Sequence, residues 1–235
     1  MRVHIIVHEP FEAPGAIEDW ARARGHALTL TRSYAGDRLP RDAGGIDLLV
    51  VMGGPQSPAT TREECPHFDS AAEQGIIRTC VAGGAAVLGV CLGAQLLGEA
   101  LGGHFEHSPE REIGLFPITL TEAGREDALL KDFGSGLAVG HWHADMPGLA
   151  PGALVLAKSE GCPRQIVRYA PRVYGFQCHL EFTDRTIGAL VDASAEELAR
   201  YADSPFVQSP EQLRGNDYRP MNRVLWRFLD RLQAA

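Results

Sequence analysis

A thiol at a strand-to-helix junction is the first chemistry this sequence offers. In AVLGVCLGAQLLGEALGG (86–103) a short apolar run stops at Cys91, and a helix-like pattern starts directly after it. Gly89 and Gly93 flank Cys91, two residues to either side. Gly-x-nucleophile-x-Gly is the form of a nucleophile elbow. The turn is tight, side chains at the two flanking positions would collide, and the nucleophile is held out at the top of the sheet. Helix N-terminal amides then face the sulfur and favour its thiolate, and the Leu92 N–H is placed to donate to an oxyanion. The plain alternative is a buried core cysteine with two packing glycines, but the strand–elbow–helix context favours a reactive thiol. Cys65, Cys80, Cys162 and Cys178 lack that context and read as structural.

A thiolate nucleophile needs a proton shuttle and a group to orient it. His179 and Glu181 stand two apart at the end of an apolar run, RVYGFQC (172–178), so their side chains leave the same face. Glu181 can then brace the His179 ring and fix its tautomer. Cys178, one residue out of phase, is expected to point away. Met52-Gly53-Gly54-Pro55 ends another buried run, and paired glycines let backbone N–H groups approach a ligand. Gly53 and Gly54 read as a second wall of the oxyanion hole. His141, His143 and Asp145 of HWHAD (141–145) offer the donor types of a metal centre, since alternate residues of an extended segment converge. The usual dinuclear pattern has a further His directly after the Asp, and here Met146 follows, so no metal is expected. Nothing in the sequence calls for a cofactor.

These residues need elements to hold them. Strands are expected at 3–7, 27–31, 47–51 and 86–90, separated by helices near 15–24 and 68–81, with a further helix at 92–101. Alternating strands and helices imply a parallel sheet covered on both faces, with ligand sites at the carboxyl ends of its strands. The second half changes character. Strands at 115–121, 153–158, 165–169 and 172–178 have few helices between them, and two helices, roughly 183–201 and 218–233, close the chain. The last carries Met221, Val224, Leu225, Phe228, Leu229 and Leu232 as an amphipathic stripe that reads as core.

Composition narrows the classes. The 235 residues fit one domain, 1–235, and 45% hydrophobic content suffices for a full core. A net charge of −8 without a basic run argues against nucleic acid. No apolar run approaches a membrane span, and the N-terminus turns charged too early for a signal peptide. Five cysteines without framework spacing suggest reduced thiols in a cytoplasmic setting.

Taken in order, GVCLGAQLLGEALGG, MGGP and GFQCHLEF resemble the nucleophile block, oxyanion loop and His-x-Glu block of class I glutamine amidotransferases. HWHAD resembles that family's glutamine-pocket segment. The resemblance spans about residues 45 to 185. It is nearer to stand-alone, GMP-synthetase-like members, which also show blocks like HEPFEAPG, EIGLFPITLT and CPRQIVRY. It implies a flavodoxin-like three-layer α/β sandwich, with a mostly parallel central sheet and a small antiparallel β portion in the second half. It also implies Cys91, His179 and Glu181 as nucleophile, base and acid, and Gln95, Trp142 and His143 as substrate-binding residues. Glu12, in the loop up to Gly15, and Arg111, in the segment up to Gly114, would shape the pocket for the rest of the substrate, Arg111 as a carboxylate partner. Two positions depart from the family pattern: Leu180 replaces a proline, and Cys178 an aromatic. The implied chemistry is hydrolysis of a γ-glutamyl amide through a thioester, with glutamine or another small γ-glutamyl compound as substrate. A separate synthetase subunit is the conceivable partner. A γ-glutamyl peptide hydrolase would use the same triad. A non-catalytic regulatory or ligand-binding relative would have no need of all three residues.

Overall fold

The computed structural model describes residues 1–234. Nine strands form one sheet: β1 (Arg2–Val7), β2 (Ala27–Arg32), β3 (Leu48–Val51), β4 (Ala86–Val90), β5 (Glu106–Leu120), β6 (Leu137–Met146), β7 (Leu154–Lys158), β8 (Ile166–Ala170) and β9 (Val173–Phe176). Their order is β2-β1-β3-β4-β9-β8-β7-β5-β6. The β2-β1-β3-β4-β9 half is parallel, and the remaining neighbours are antiparallel. This is the expected division between a parallel first half and an antiparallel second half.

Strand alternation separates two cores, one on each side of the sheet. Ile5, Val50 and Leu88 face one way, and Ile6, Leu49 and Val87 face the other. The first face is covered by α1 (Ala16–Ala23), α5 (Asp184–Ala193) and α8 (Arg219–Ala234), through Ile17, Trp20, Ile187, Leu190, Phe228 and Leu229. The second is covered by α2 (Ser70–Ala82) and α3 (Leu92–Ala100), through Ile76, Ile77, Leu96 and Leu97. Burial on both faces is why the central strands read as unbroken apolar runs. The result is the three-layer α/β sandwich.

Several boundaries differ from expectation. The helix expected over 183–201 is two: α5 ends at Ala193, and α6 (Ala195–Arg200) restarts after Ser194. Thr183 starts α5 with a reciprocal capping box to Thr186. Two short helices, α4 (Glu122–Glu126) and α7 (Pro210–Gly215), were not expected. They are capped by Thr121 and Ser209, and their apolar contribution is too small to leave a periodic signal. The HWHAD segment is the end of β6, which pairs along β5. β9 stops at Phe176, so His179 and Glu181 lie beyond the regular strand. Among the described residues no helix is long and apolar enough to cross a membrane.

Candidate active site

β4 delivers Cys91 to α3 through a backbone turn with φ 52 and ψ −111 at Cys91 itself. Positive φ at a non-glycine residue is uncommon, and it costs on the order of 1–3 kcal/mol that surrounding packing must offset. The glycines show how crowded the turn is. A Cβ at Gly89 would strike the Gly93 main chain across the elbow, as expected from the motif. A Cβ at Gly93 would strike the Val51 carbonyl of β3. The second glycine therefore answers to the neighbouring strand, not to the elbow alone.

His179 is fixed by β6 rather than by its own strand. Its N–H donates to the Gly140 carbonyl at 2.7 Å, and Gly140 N–H donates back to the His179 carbonyl at 2.9 Å. Glycine at 140 permits this approach, because a Cβ there would press on Phe182 and on the His179 carbonyl. Phe182 stacks on the imidazole, with ring centroids 4.2 Å apart and planes 11° from parallel. Nδ1 lies 2.6 Å from Glu181 Oε1, and both side chains are buried. The N–H of Ala16, at the start of α1, donates to the Glu181 carbonyl at 2.9 Å and anchors that residue's main chain.

Nε2, the other His179 nitrogen, is buried and has no hydrogen-bond partner among the described residues. Burial opposes a charge on this ring. The Glu181 carboxylate and the Cys91 thiol outweigh it and hold the His179 pKa well above the ordinary histidine value. By contrast, burial pushes the Cys80 thiol up to about 11 and the Cys178 thiol well above its usual range. Cys178 Sγ is directed at the Gln165 carbonyl, away from the His179 ring. Neither the Gly54 nor the Leu92 N–H bonds to another described residue.

The Cys91 thiol opens into a cavity of about 330 Å³. Gly54, Gln95, Trp142, His143, Glu12 and Arg111 contribute to its wall. The sheet thus brings together residues from the ends of β4 and β6, the loop beyond β9, and the loops after β1 and β3.

The glutamine amidotransferase class-I family profile matches residues 16–192. The chain belongs to that family. It is 56% identical over 235 residues to the glutamine amidotransferase-like protein YfeJ of Salmonella typhimurium, covering 100% of this chain and 98% of that one. The crystal structure of SMU.1228c is 48% identical, with a TM-score of 0.97 and 99% of each chain covered. The glutamine-hydrolysing GMP synthase of Escherichia coli O1:K1 is 36% identical over 142 residues, which cover 57% of this chain and only 25% of the synthase.

In this family member, the residues expected around the thiol differ in how they are engaged. Gln95 donates to Gln177 at 3.2 Å, and its own carbonyl oxygen is buried without a partner. Trp142 donates from its indole to Glu197 at 2.9 Å, and its main-chain carbonyl faces Cys91 Sγ at 3.7 Å. Arg111 reaches the cavity but is engaged by Glu197 and stacks on Tyr201, 4.0 Å from the ring centroid. Glu12 makes no side-chain hydrogen bond to a described residue. Its Oε2, Cys91 Cβ and His179 Cε1 all crowd the Cα of Gly53, at 2.9, 3.3 and 3.4 Å from where a Cβ would stand. Burial and the nearby Glu181 raise the Glu12 pKa, against the pull of His179.

The HWHAD cluster divides. His141 and His143 point into a buried network with Glu112, while Asp145 turns away to His107 at 2.6 Å. The Gln165 amide nitrogen stands at the centre of that network, 2.7 Å from Glu112, 3.2 Å from His141, 3.1 Å from His143 and 2.9 Å from Ser159. His143 Nδ1 and Gln165 Oε1 remain buried without a partner among the described residues. Burial lowers the His141 pKa to about 3, so its ring is neutral. Glu112 and Gln165 were missed because they lie 29 and 24 residues from His141 in sequence. Two further residues, His8 and Glu73, meet beneath the Gly53–Gly54 loop from 65 residues apart. A polar residue closing the apolar run of β1 was the one available sign of His8.

Proposed function

We propose that residues 1–235 act as one unit that hydrolyses a γ-glutamyl amide through Cys91, His179 and Glu181. The observation that carries this is a buried imidazole held by the Glu181 carboxylate on one nitrogen and left unpartnered on the other, packed with a thiol on a positive-φ elbow against the same glycine, Gly53. Cys91 thiolate attacks the side-chain amide carbon, and the carbonyl electrons move to oxygen. The N–H groups of Gly54 and Leu92 receive that oxyanion, and such donors each contribute on the order of 3 kcal/mol. His179 gives its Nε2 proton to the departing nitrogen, ammonia leaves, and a γ-glutamyl thioester remains. His179 then takes a proton from water, which attacks the thioester, and the Cys91 thiolate is expelled with release of glutamate. Glu181 keeps the imidazole oriented and stabilises its charge in both steps. The cavity wall of Gln95, Trp142 and His143 would hold the glutamyl portion.

Similarity to the glutamine-hydrolysing GMP synthase supports glutamine as the first substrate to try, with a synthetase as the acceptor of ammonia. Similarity along nearly the whole of YfeJ supports action as a stand-alone chain. One experiment separates these. The purified chain is incubated with glutamine and a panel of γ-glutamyl compounds, without ATP or metal, and ammonia and glutamate are measured. Turnover lost in Cys91→Ala supports hydrolysis by the chain alone. Turnover that appears only on adding a synthetase makes it an amidotransferase subunit, and no turnover under either condition refutes the proposal.

A further inference from the structure

We propose that His8, braced by Glu73, is a positioning residue that locks the Gly53–Gly54 peptide in the orientation that forms the oxyanion hole. This rests on the reading of Gly54 as an oxyanion donor. His8 ends the run of β1 and is fully buried beneath the loop that follows β3. Its Nδ1 lies 2.8 Å from the Gly53 carbonyl oxygen, and its Nε2 lies 2.8 Å from Glu73 Oε2. Glu73, in the first turn of α2, is 1% exposed.

The two contacts settle what His8 does. The Gly53 carbonyl can only accept, so Nδ1 donates to it; with Glu73 ionised, Nε2 donates as well, and His8 is an imidazolium. Burial would strip that proton, but Glu73 outweighs it, with help from the Gly53 carbonyl, and the His8 pKa is raised. Phe68 packs edge-on against the ring, with centroids 5.7 Å apart and planes at 76°, and limits its rotation.

The consequence for the loop follows from peptide planarity. In a trans peptide the carbonyl of one residue and the N–H of the next point in opposite directions. With the Gly53 carbonyl drawn to His8, the Gly54 N–H is turned away from His8, toward the cavity that Gly54 shares with Cys91. A peptide between two glycines rotates easily, because neither flanking residue has a Cβ to restrict it. The loop cannot hold this orientation by itself, and a fixed donor on its far side must do so. His8 supplies a charge-assisted hydrogen bond, which is roughly twice as strong as a neutral one. Glu73 reaches the site only through His8, so its role is to keep that donor charged and aligned.

The test uses the full chain with three substitutions: His8→Phe, which removes the donor; His8→Asn, whose amide nitrogen falls near the place of Nδ1; and Glu73→Gln, which keeps an acceptor for Nε2. Crystal structures of the native chain and His8→Phe read the peptide directly. The expected result is a rotated Gly53–Gly54 peptide in His8→Phe, with the Gly53 carbonyl released. An unrotated peptide overturns the proposal, whether or not the chain hydrolyses anything. Kinetics then read the consequence. In His8→Phe, kcat is expected to fall about 10²-fold or more with KM little changed, the mark of a lost transition-state donor. Iodoacetamide should alkylate Cys91 at the native rate in every variant, because that reaction needs no oxyanion hole. His8→Asn should recover most of kcat, and Glu73→Gln should fall between. Equal loss in His8→Asn and His8→Phe, or an alkylation rate that falls along with kcat, would show a merely structural role. If the native chain turns over no γ-glutamyl compound, the functional reading fails, while the crystallographic arm still decides this one.

Discussion

Replacing Gly93 with alanine adds one methyl group and removes no catalytic atom, yet the structure assigns it a large cost. The new Cβ would sit inside contact distance of the Val51 carbonyl oxygen and carbon, and 3.0 Å from Val51 Cβ. Val51 is fully buried on β3, which is paired on both sides by β1 and β4. Overpacking that flexible side chains can absorb costs about 1–3 kcal/mol. Here the obstacle is main chain in the middle of a sheet, so the expected cost is about 3 kcal/mol or more. For a chain of this size that corresponds to a Tm lower by roughly 6 °C or more. Because Gly93 N–H also donates to the Met52 carbonyl at 3.1 Å, the shift would pull on the loop holding Gly53 and Gly54. Turnover should fall even in the fraction that folds. Gly75→Ala is the matched control. Gly75 lies inside α2 with nothing within 4 Å of a built Cβ, so the same methyl should stabilise by about 0.5–1 kcal/mol. Thermal and urea unfolding of both variants, with turnover measured alongside, is the assay. A Gly93→Ala chain with native Tm and native turnover would refute the steric account of the elbow.

Cys91→Ala should abolish turnover and keep the native Tm, and an electrophilic glutamine analogue should modify Cys91 alone by peptide mass mapping. Modification of Cys80 or Cys178 instead would contradict the raised pKa of both thiols. His179→Ala should lower kcat more than Glu181→Gln, since the first removes the proton shuttle, which typically contributes about 10²–10⁴-fold, and the second only its orienting charge. Equal losses would give Glu181 a more direct role. The raised His179 pKa also sets a pH dependence. A histidine that binds its proton more tightly in the folded chain contributes stability that is complete below its unfolded value of about 6.5 and disappears as pH rises through the folded value. The urea midpoint of the native chain should therefore exceed that of His179→Gln most at low pH, with the gap closing as pH rises; a constant gap counts against the imidazolium.

How far the sequence alone reaches differs between the two halves of the chain. Local signals suffice where neighbours in sequence share one element. The apolar runs of β1, β3 and β4, the Gly89-to-Gly93 spacing around Cys91 and the stripe on α8 each determine their own conformation. The triad candidates could be named because each side of it is written locally, the thiol in one block and His179 with Glu181 in another. Their meeting is a different matter. It depends on β9 lying beside β4, and on Gly140 of β6 clamping the His179 main chain after the strand has ended. A strand rule put His179 and Glu181 side by side, and they lie 2.6 Å apart, although the backbone that holds them is not strand. Only tertiary structure turned Asp145 to His107, engaged Arg111 with Glu197, and placed Gln165 among His141, His143 and Glu112. The physical reason is the same in each case. A polar group wholly or partly withdrawn from water pairs with whatever partner the fold brings within hydrogen-bonding distance, and that partner is 38 residues away for Asp145, 86 for Arg111 and 65 for the His8–Glu73 pair.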